Sequence, residues 1–182
     1  MPRLTPLDPA TATGEAKELL DGIQAAFGMT PNMARTMARN PAVLKGWIEL
    51  NSALGKTLTR ELNEQIAIAI AEANGCGYCL SAHTAIGGLV GVDVHELARS
   101  RDGDSSDPKI AAALKFARTV NDKRGDVSDA DLAQVRAAGY DDSDIAAIVA
   151  HVALNVFTNY FNLVSQTVID FPEVTPSLAA AA

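Results

Sequence analysis

Residues 61–88 read ELNEQIAIAIAEANGCGYCLSAHTAIGG. Leu62, Ile66, Ala69 and Ala73 recur at helical spacing, and Ala67, Ile70 and Ala71 widen the same apolar stripe. Asn74-Gly75 is the kind of pair that ends a helix. A second helix is expected from near Cys76 to about Val90, stopped by Gly91. The two cysteines of this stretch are the only ones among 182 residues.

The spacing has chemical consequences. Cys76, Cys79 and His83 stand at i, i+3 and i+7, so a helix turns both sulfurs and the imidazole to one side. A helix N-terminus favours a thiolate in its first turn, which predicts a lowered thiol pKa at Cys76. His83 titrates near neutrality and can serve as a base or as a charged partner. If the chain reverses at Asn74-Gly75, residues 67–71 lie opposite 79–83. Glu64 then stands one turn further out, within reach of His83 directly or through one water. Three readings of this cluster stay open at this point. It is a redox pair, two buried thiols without a redox role, or a zinc site completed by His83 and Glu64. Zinc ligands seldom all come from one continuous helix, which weighs against the last.

The rest of the chain bounds the answer. Its length fits one domain over 1–182, or two small helical lobes joined near 100–107 by the charged, flexible SRDGDSS segment. A net charge of −7 excludes the basic footprint of a nucleic-acid binder. No run reaches the roughly 18 uninterrupted apolar residues of a membrane span. The opening MPRLTPLDPATAT lacks the apolar segment of a signal peptide, so a cytoplasmic protein is expected. In that compartment a lone CxxC is more often redox-active than a structural staple. No Gly-rich phosphate loop is present, because Gly87-Gly88 ends a helix rather than following a strand.

No strand pattern appears, so the fold is expected to be all-α. Thr13 is placed to cap a first helix ending at Gly28. Short helices follow at 31–38 and 41–55, with Pro at the start of each. Thr59 opens the central helix by first-turn charge rather than through a capping box. Further helices are expected at 92–99, at 108–123 after Asp107, at 129–138 after Ser128, and at 143–168 after Asp141 or Ser143. The tail beyond Phe171-Pro172 is expected to be loose or docked on a partner.

The pattern Glu64, eleven residues, Cys76-Gly77-Tyr78-Cys79, three residues, His83 resembles the alkylhydroperoxidase AhpD family of the carboxymuconolactone decarboxylase superfamily. Two further stretches resemble its peroxidase-related branch: Gly28-Met29-Thr30-Pro31-Asn32 with Asn40-Pro41, and Ala153-Leu154-Asn155-Val156-Phe157-Thr158-Asn159-Tyr160-Phe161-Asn162. The likeness spans about 15–172. It implies a helical fold of about seven to nine helices with a central hairpin carrying the CxxC motif. It implies a thiol peroxidase in which Cys79 attacks a hydroperoxide, Cys76 resolves the product as a disulfide, and His83 with Glu64 moves the proton. It further implies no bound cofactor or metal, an external dithiol reductant such as a lipoyl protein, and a homo-oligomer, a trimer or hexamer. Tyr78 departs from the best characterised pattern, which has a histidine there, and a tyrosine is no base near neutral pH.

Other residues carry weaker signals. His151 is read first as a buried histidine with one hydrogen bond, and second as a visitor to the site. Asn155, Asn159 and Asn162 share a helix face, where a structural role is favoured over lining the pocket. The competing functions are decarboxylation of a muconolactone-type acid, which has no need of the cysteines, and a non-enzymatic redox sensor or oligomeric scaffold.

Overall fold

A computed structural model of the chain describes residues 1–177, and among them the secondary structure is nine helices and no strand. They are α1 (Gly14–Phe27), α2 (Asn32–Met37), α3 (Pro41–Leu54), α4 (Arg60–Ala73), α5 (Gly77–Leu89), α6 (Val94–Arg101), α7 (Pro108–Asp122), α8 (Asp129–Ala137) and α9 (Asp142–Ser165).

The fold is built around α4. Every residue from Gln65 to Glu72 on it is buried, because α5, α6, α7 and α9 all pack against it. A helix covered on all sides needs small residues where its neighbours come closest, and the alanines at 67, 69 and 71 supply them. Three apolar clusters result. One joins Ile66, Ala69 and Ile70 to Leu114, Phe116 and Ala117 of α7 and to Ile148 and Val152 of α9. A second closes α1, α2 and α3 around Leu20, Met37 and Leu44. The third holds the cysteines, with Ile68, Ala71, Tyr78, Leu80 and Leu97.

Local signals set most of the boundaries. Asn40 accepts from Ala42 N–H, Asp107 accepts from Lys109 and Ile110 N–H, and Ser128 and Asp141 each form a full capping box. Thr59 does more than expected, since its hydroxyl accepts from Leu62 N–H at 3.2 Å. Thr13 does less: it sits at the N-cap of α1 but makes no side-chain cap bond. Gly75, at φ +68°, turns the chain between α4 and α5 in a conformation that a Cβ would oppose. Gly87 serves a different end. A Cβ there would lie 2.6 Å from Leu97 Cδ2, so glycine is what lets α6 close on α5.

Two connections differ from expectation. Helix α6 runs on through Arg101, and the segment after it is pinned rather than flexible. Ser105 Oγ donates to Glu96 Oε2 at 2.6 Å, Ser106 N–H donates to the same carboxylate, and Arg99 bonds Asp104 at 2.6 Å. Glu96 collects these donors because two successive serines follow the α6 turn. The tail likewise docks on its own chain instead of staying loose or docking on a partner, with Ile169, Phe171 and Val174 packed against the cysteine cluster. The final five residues, 178–182, lie outside the described residues, so that part of the tail expectation does too.

Helix α9 is long and apolar enough, by length and composition, to cross a membrane, but half of its apolar window is buried inside the fold. Its inner face carries Ile148, His151, Val152, Asn155, Asn159 and Asn162.

Candidate active site

Cys76 is the N-cap of α5, and its sulfur accepts from Cys79 N–H at 3.3 Å. That places Cys79 one turn into the helix with the two sulfurs 2.6 Å apart, as free thiols. A disulfide is about 2.05 Å long, so oxidation needs only a small closing movement. Both cysteines are almost wholly buried.

The two thiols are driven apart electrostatically. Cys76 donates its S–H to Cys79, and this bond together with burial pushes the Cys76 thiol far up. Burial pushes Cys79 up as well. Against it act the Cys76 donor, the Asn162 amide, the positive charge of His83 and the Asn159 amide, and together they bring Cys79 down to about 7. The lowered thiol is therefore Cys79, not Cys76 as the helix-terminus argument predicts. The sulfur–sulfur hydrogen bond can stabilise only one thiolate, and the Asn162 and Asn159 amides and the His83 charge bear on Cys79, so Cys76 is the sulfur that keeps its proton.

His83 and Glu64 meet directly. His83 Nδ1 lies 2.7 Å from Glu64 Oε2, and both side chains are partly exposed at 28% and 17%. The carboxylate can only accept, so the Nδ1 proton faces Glu64 and Nε2 is left for exchange. Burial pulls the His83 pKa down, but the Glu64 charge, the Glu64 hydrogen bond and Cys79 outweigh it and hold the imidazole above its ordinary value. The structure thus brings Cys76, Cys79, His83 and Glu64 into one cluster, whose His83 and Glu64 side chains are partly exposed. Among the described residues, no three His, Cys, Asp or Glu side chains are grouped as metal ligands.

Residues 41–119 match the family model of the Carboxymuconolactone decarboxylase family, and this segment holds all four residues of the cluster. The match spans 79 of the 182 residues, and the all-helical fold is AhpD-like. Its fold is similar to that of a solved alkylhydroperoxidase AhpD core, an uncharacterized peroxidase-related protein from Ralstonia eutropha JMP134. The TM-score is 0.84 and the identity 24%, over 93% of this chain and 92% of that one. A peroxidase-related protein from Silicibacter sp. TM1040 is similar at TM-score 0.78 and 24% identity, over 90% of this chain and 91% of that one. The debrominase Bmp8, solved in complex with 2,3,4-tribromopyrrole, is similar at TM-score 0.78 and 23% identity, over 92% and 91%. No curated protein matches the chain significantly.

Two residues singled out in the sequence stand apart from the sulfurs of this AhpD-like fold. Tyr78 lies next to the cysteines in sequence, but its hydroxyl accepts from Met33 N–H at 3.2 Å and its ring meets Phe171 edge-on at 5.8 Å. Burial pushes its phenol far up, so it stays neutral and acts as a brace between α2 and the tail. His151 turns instead to the end of α3, with Nε2 3.2 Å from the Leu54 carbonyl and 3.3 Å from Thr57 Oγ1. Burial holds its pKa down, as befits a neutral core histidine. Two surface hollows of about 210 and 240 Å³ lie elsewhere, and neither includes a residue of the cluster.

Residues that sequence reasoning placed elsewhere do reach the site. Asn162, 83 positions from Cys79, donates its amide to the Cys79 sulfur at 3.3 Å. The spacing of the asparagines was a signal, because amides on a buried helix face need partners. It did not say which partner.

The tail forms a strap over the start of α5. Ile169, Phe171 and Val174 join the cysteine cluster, and a Cβ on Gly77 would lie 3.6 Å from Pro176. Val174 N–H donates to Ser81 Oγ at 2.9 Å, Asp170 accepts from Asn32 N–H at 2.7 Å, and Glu72 accepts from Ser177 N–H at 2.6 Å and from Arg101 Nε at 2.9 Å. Burial pushes the Glu72 carboxyl up, but the Ser177 and Arg101 donors overcome it and hold it below the usual carboxylate range. A depressed pKa stabilises the fold above the unfolded value, about 4.3, and that contribution is lost as pH falls through the folded value. Replacing Glu72 with glutamine weakens two charge-assisted bonds, one to Ser177 of the strap and one to Arg101 of α6, which itself donates to the Thr175 carbonyl. Each is worth about 1.5–3 kcal/mol, and about 1.4 kcal/mol is tenfold in an opening equilibrium. Glu72→Gln is therefore expected to raise the rate of iodoacetamide labelling of the dithiol by about tenfold or more at neutral pH. An unchanged rate would mean that the strap does not limit access.

Proposed function

We propose that this protein is a thiol-dependent peroxidase. The observation that carries the reading is the division of labour within the CxxC pair: Cys79 is held toward the thiolate at about 7, while Cys76 keeps its proton 2.6 Å away. A peroxidatic cysteine needs thiolate character, and a resolving cysteine needs contact with it.

The reaction balances on these groups. The Cys79 thiolate attacks the outer oxygen of a hydroperoxide and the O–O bond breaks. The alkoxide leaves with a proton delivered from the His83 imidazolium, giving an alcohol and a sulfenic acid on Cys79. Cys76 then attacks that sulfur, a disulfide forms, and hydroxide leaves as water by taking up the Cys76 proton. An external dithiol carrier reduces the disulfide and is itself oxidised. Glu64 steadies the imidazolium through Nδ1 and supports re-protonation from solvent. A lipoyl group is the proposed class of carrier. A homo-oligomer is proposed as well, supported by the exposed apolar residues Val149, Phe157, Tyr160 and Val164 along α9.

The deciding assay follows consumption of an organic hydroperoxide with dihydrolipoamide as reductant, with 2,3,4-tribromopyrrole and a muconolactone acid run in parallel. Sustained peroxide turnover, rising with pH through about 7 as Cys79 ionises, is expected. Bromide release without peroxide turnover would move the reading to reductive debromination by the same dithiol. A single oxidation per chain with dihydrolipoamide and other dithiols would make the pair a sensor.

A further inference from the structure

Helix α9 presents Asn155, Asn159 and Asn162 on one buried face, and the three amides have different fates. Asn155 Nδ2 is spent inside its own helix, on the His151 carbonyl at 2.8 Å. Asn162 Nδ2 sits between two sulfurs, 3.3 Å from Cys79 Sγ and 3.2 Å from Met33 Sδ. Asn159 is wholly buried, and its Nδ2 has no hydrogen-bond partner.

A buried amide donor without a partner is costly, and a helix core tolerates it only for a reason. The orientation of Asn159 is fixed from its other end. Asn74, at the C-cap of α4, donates to Asn159 Oδ1 at 2.9 Å. Asn74 is itself locked by a reciprocal amide pair with Asn121 of α7, at 3.2 and 3.1 Å. With Oδ1 held by Asn74, Nδ2 is the end of Asn159 that remains for the cysteine side.

We infer that the side-chain amides of Asn162 and Asn159 form a cradle that holds the Cys79 sulfur as a thiolate, with Asn162 touching the reacting atom and Asn159 set in place by Asn74 and Asn121. A thiolate is an acceptor only, and in a site shielded from water it must take its hydrogen bonds from fixed donors. Amides suit this place because they donate without titrating, so the cradle works at any pH at which His83 has lost its charge. The side-chain amides of Asn162 and Asn159 both act to lower the Cys79 pKa. Asn162 is thereby a catalytic residue, and Asn159, Asn74 and Asn121 are positioning residues. The inference rests on the thiol reading of Cys79 given above.

The test needs no peroxide. Reduced full-length protein is titrated by thiolate absorbance, with mass-resolved alkylation to assign the signal to Cys79. Asn162→Leu removes the contacting donor and is expected to raise the midpoint from about 7 by about one pH unit or more. Asn162→Asp sets a carboxylate against the thiolate and raises it further. Asn74→Ala, which touches neither sulfur, raises it by less, through the loosened Asn159. An Asn162→Leu midpoint equal to that of the wild type overturns the cradle. So does a common midpoint for the Leu and Asp variants, which would mean general exposure of the thiol. Shifts in the expected order in a protein that turns over no peroxide would keep the cradle and remove the peroxidase reading. Peroxide turnover with unmoved midpoints would do the reverse.

Discussion

Cys79→Ser is expected to reduce dihydrolipoamide-dependent peroxide consumption to the uncatalysed background, whereas Cys76→Ser leaves one stoichiometric oxidation per chain and then stops. The asymmetry follows from the geometry. A serine at 79 has no accessible anion near neutrality, so the nucleophile is lost outright. A serine at 76 still offers a hydroxyl donor toward Cys79 but cannot form a disulfide, so the sulfenic acid accumulates and can be trapped by a sulfenate-specific reagent. Sulfenate trapped on Cys76 of the Cys79→Ser variant, with none on Cys79 of the Cys76→Ser variant, would reverse the assignment, and with it the sense of the sulfur–sulfur hydrogen bond at 2.6 Å.

His83→Gln is expected to lower the second-order rate constant with peroxide by about 10²–10⁴-fold, the usual yield of a positioned acid or base. Two effects combine. The leaving alkoxide loses its proton donor, and Cys79 loses the positive charge that helps lower its pKa. The pH profile separates them. Wild-type rate should rise through about 7 as Cys79 ionises and fall at higher pH as His83 gives up its proton. The variant should lack the falling limb, and its rising limb should move to higher pH. Stability gives a second readout. The His83 pKa is raised in the fold, so its ion pair with Glu64 stabilises fully below the unfolded value of about 6.5 and loses that contribution as pH rises through the folded value. The melting difference between wild type and His83→Gln should therefore be largest at acid pH and shrink at alkaline pH. A difference that grows with pH would mean that Glu64 does not hold the imidazolium.

Much of this site could be read from the chain because its members are close in sequence. Cys76, Cys79 and His83 fall within two helical turns, and Glu64 returns to His83 across the short link between α4 and α5. Caps announced most of the helix starts, with Thr13 the exception, since its side chain makes no cap bond. The partners of Tyr78 were not legible, because Met33 and Phe171 lie 45 residues before it and 93 after it. Nor was the strap, whose apolar residues look like any loose tail until the cysteine cluster shows what they cover.

An all-helical chain with two thiols and an imidazole on one helix face and a carboxylate in reach follows from the residues alone, because helical periodicity and capping are local geometry. Which thiol is acidic follows only from the packed fold, since it depends on hydrogen bonds and charges arriving together from α5 and α9. The packed fold alone decided that Asn162 reaches Cys79 while His151 turns to Leu54. Both lie on the inner face of α9, eleven residues apart. Their different partners follow from how α9 lies across α4, α5 and the end of α3, which no local pattern encodes.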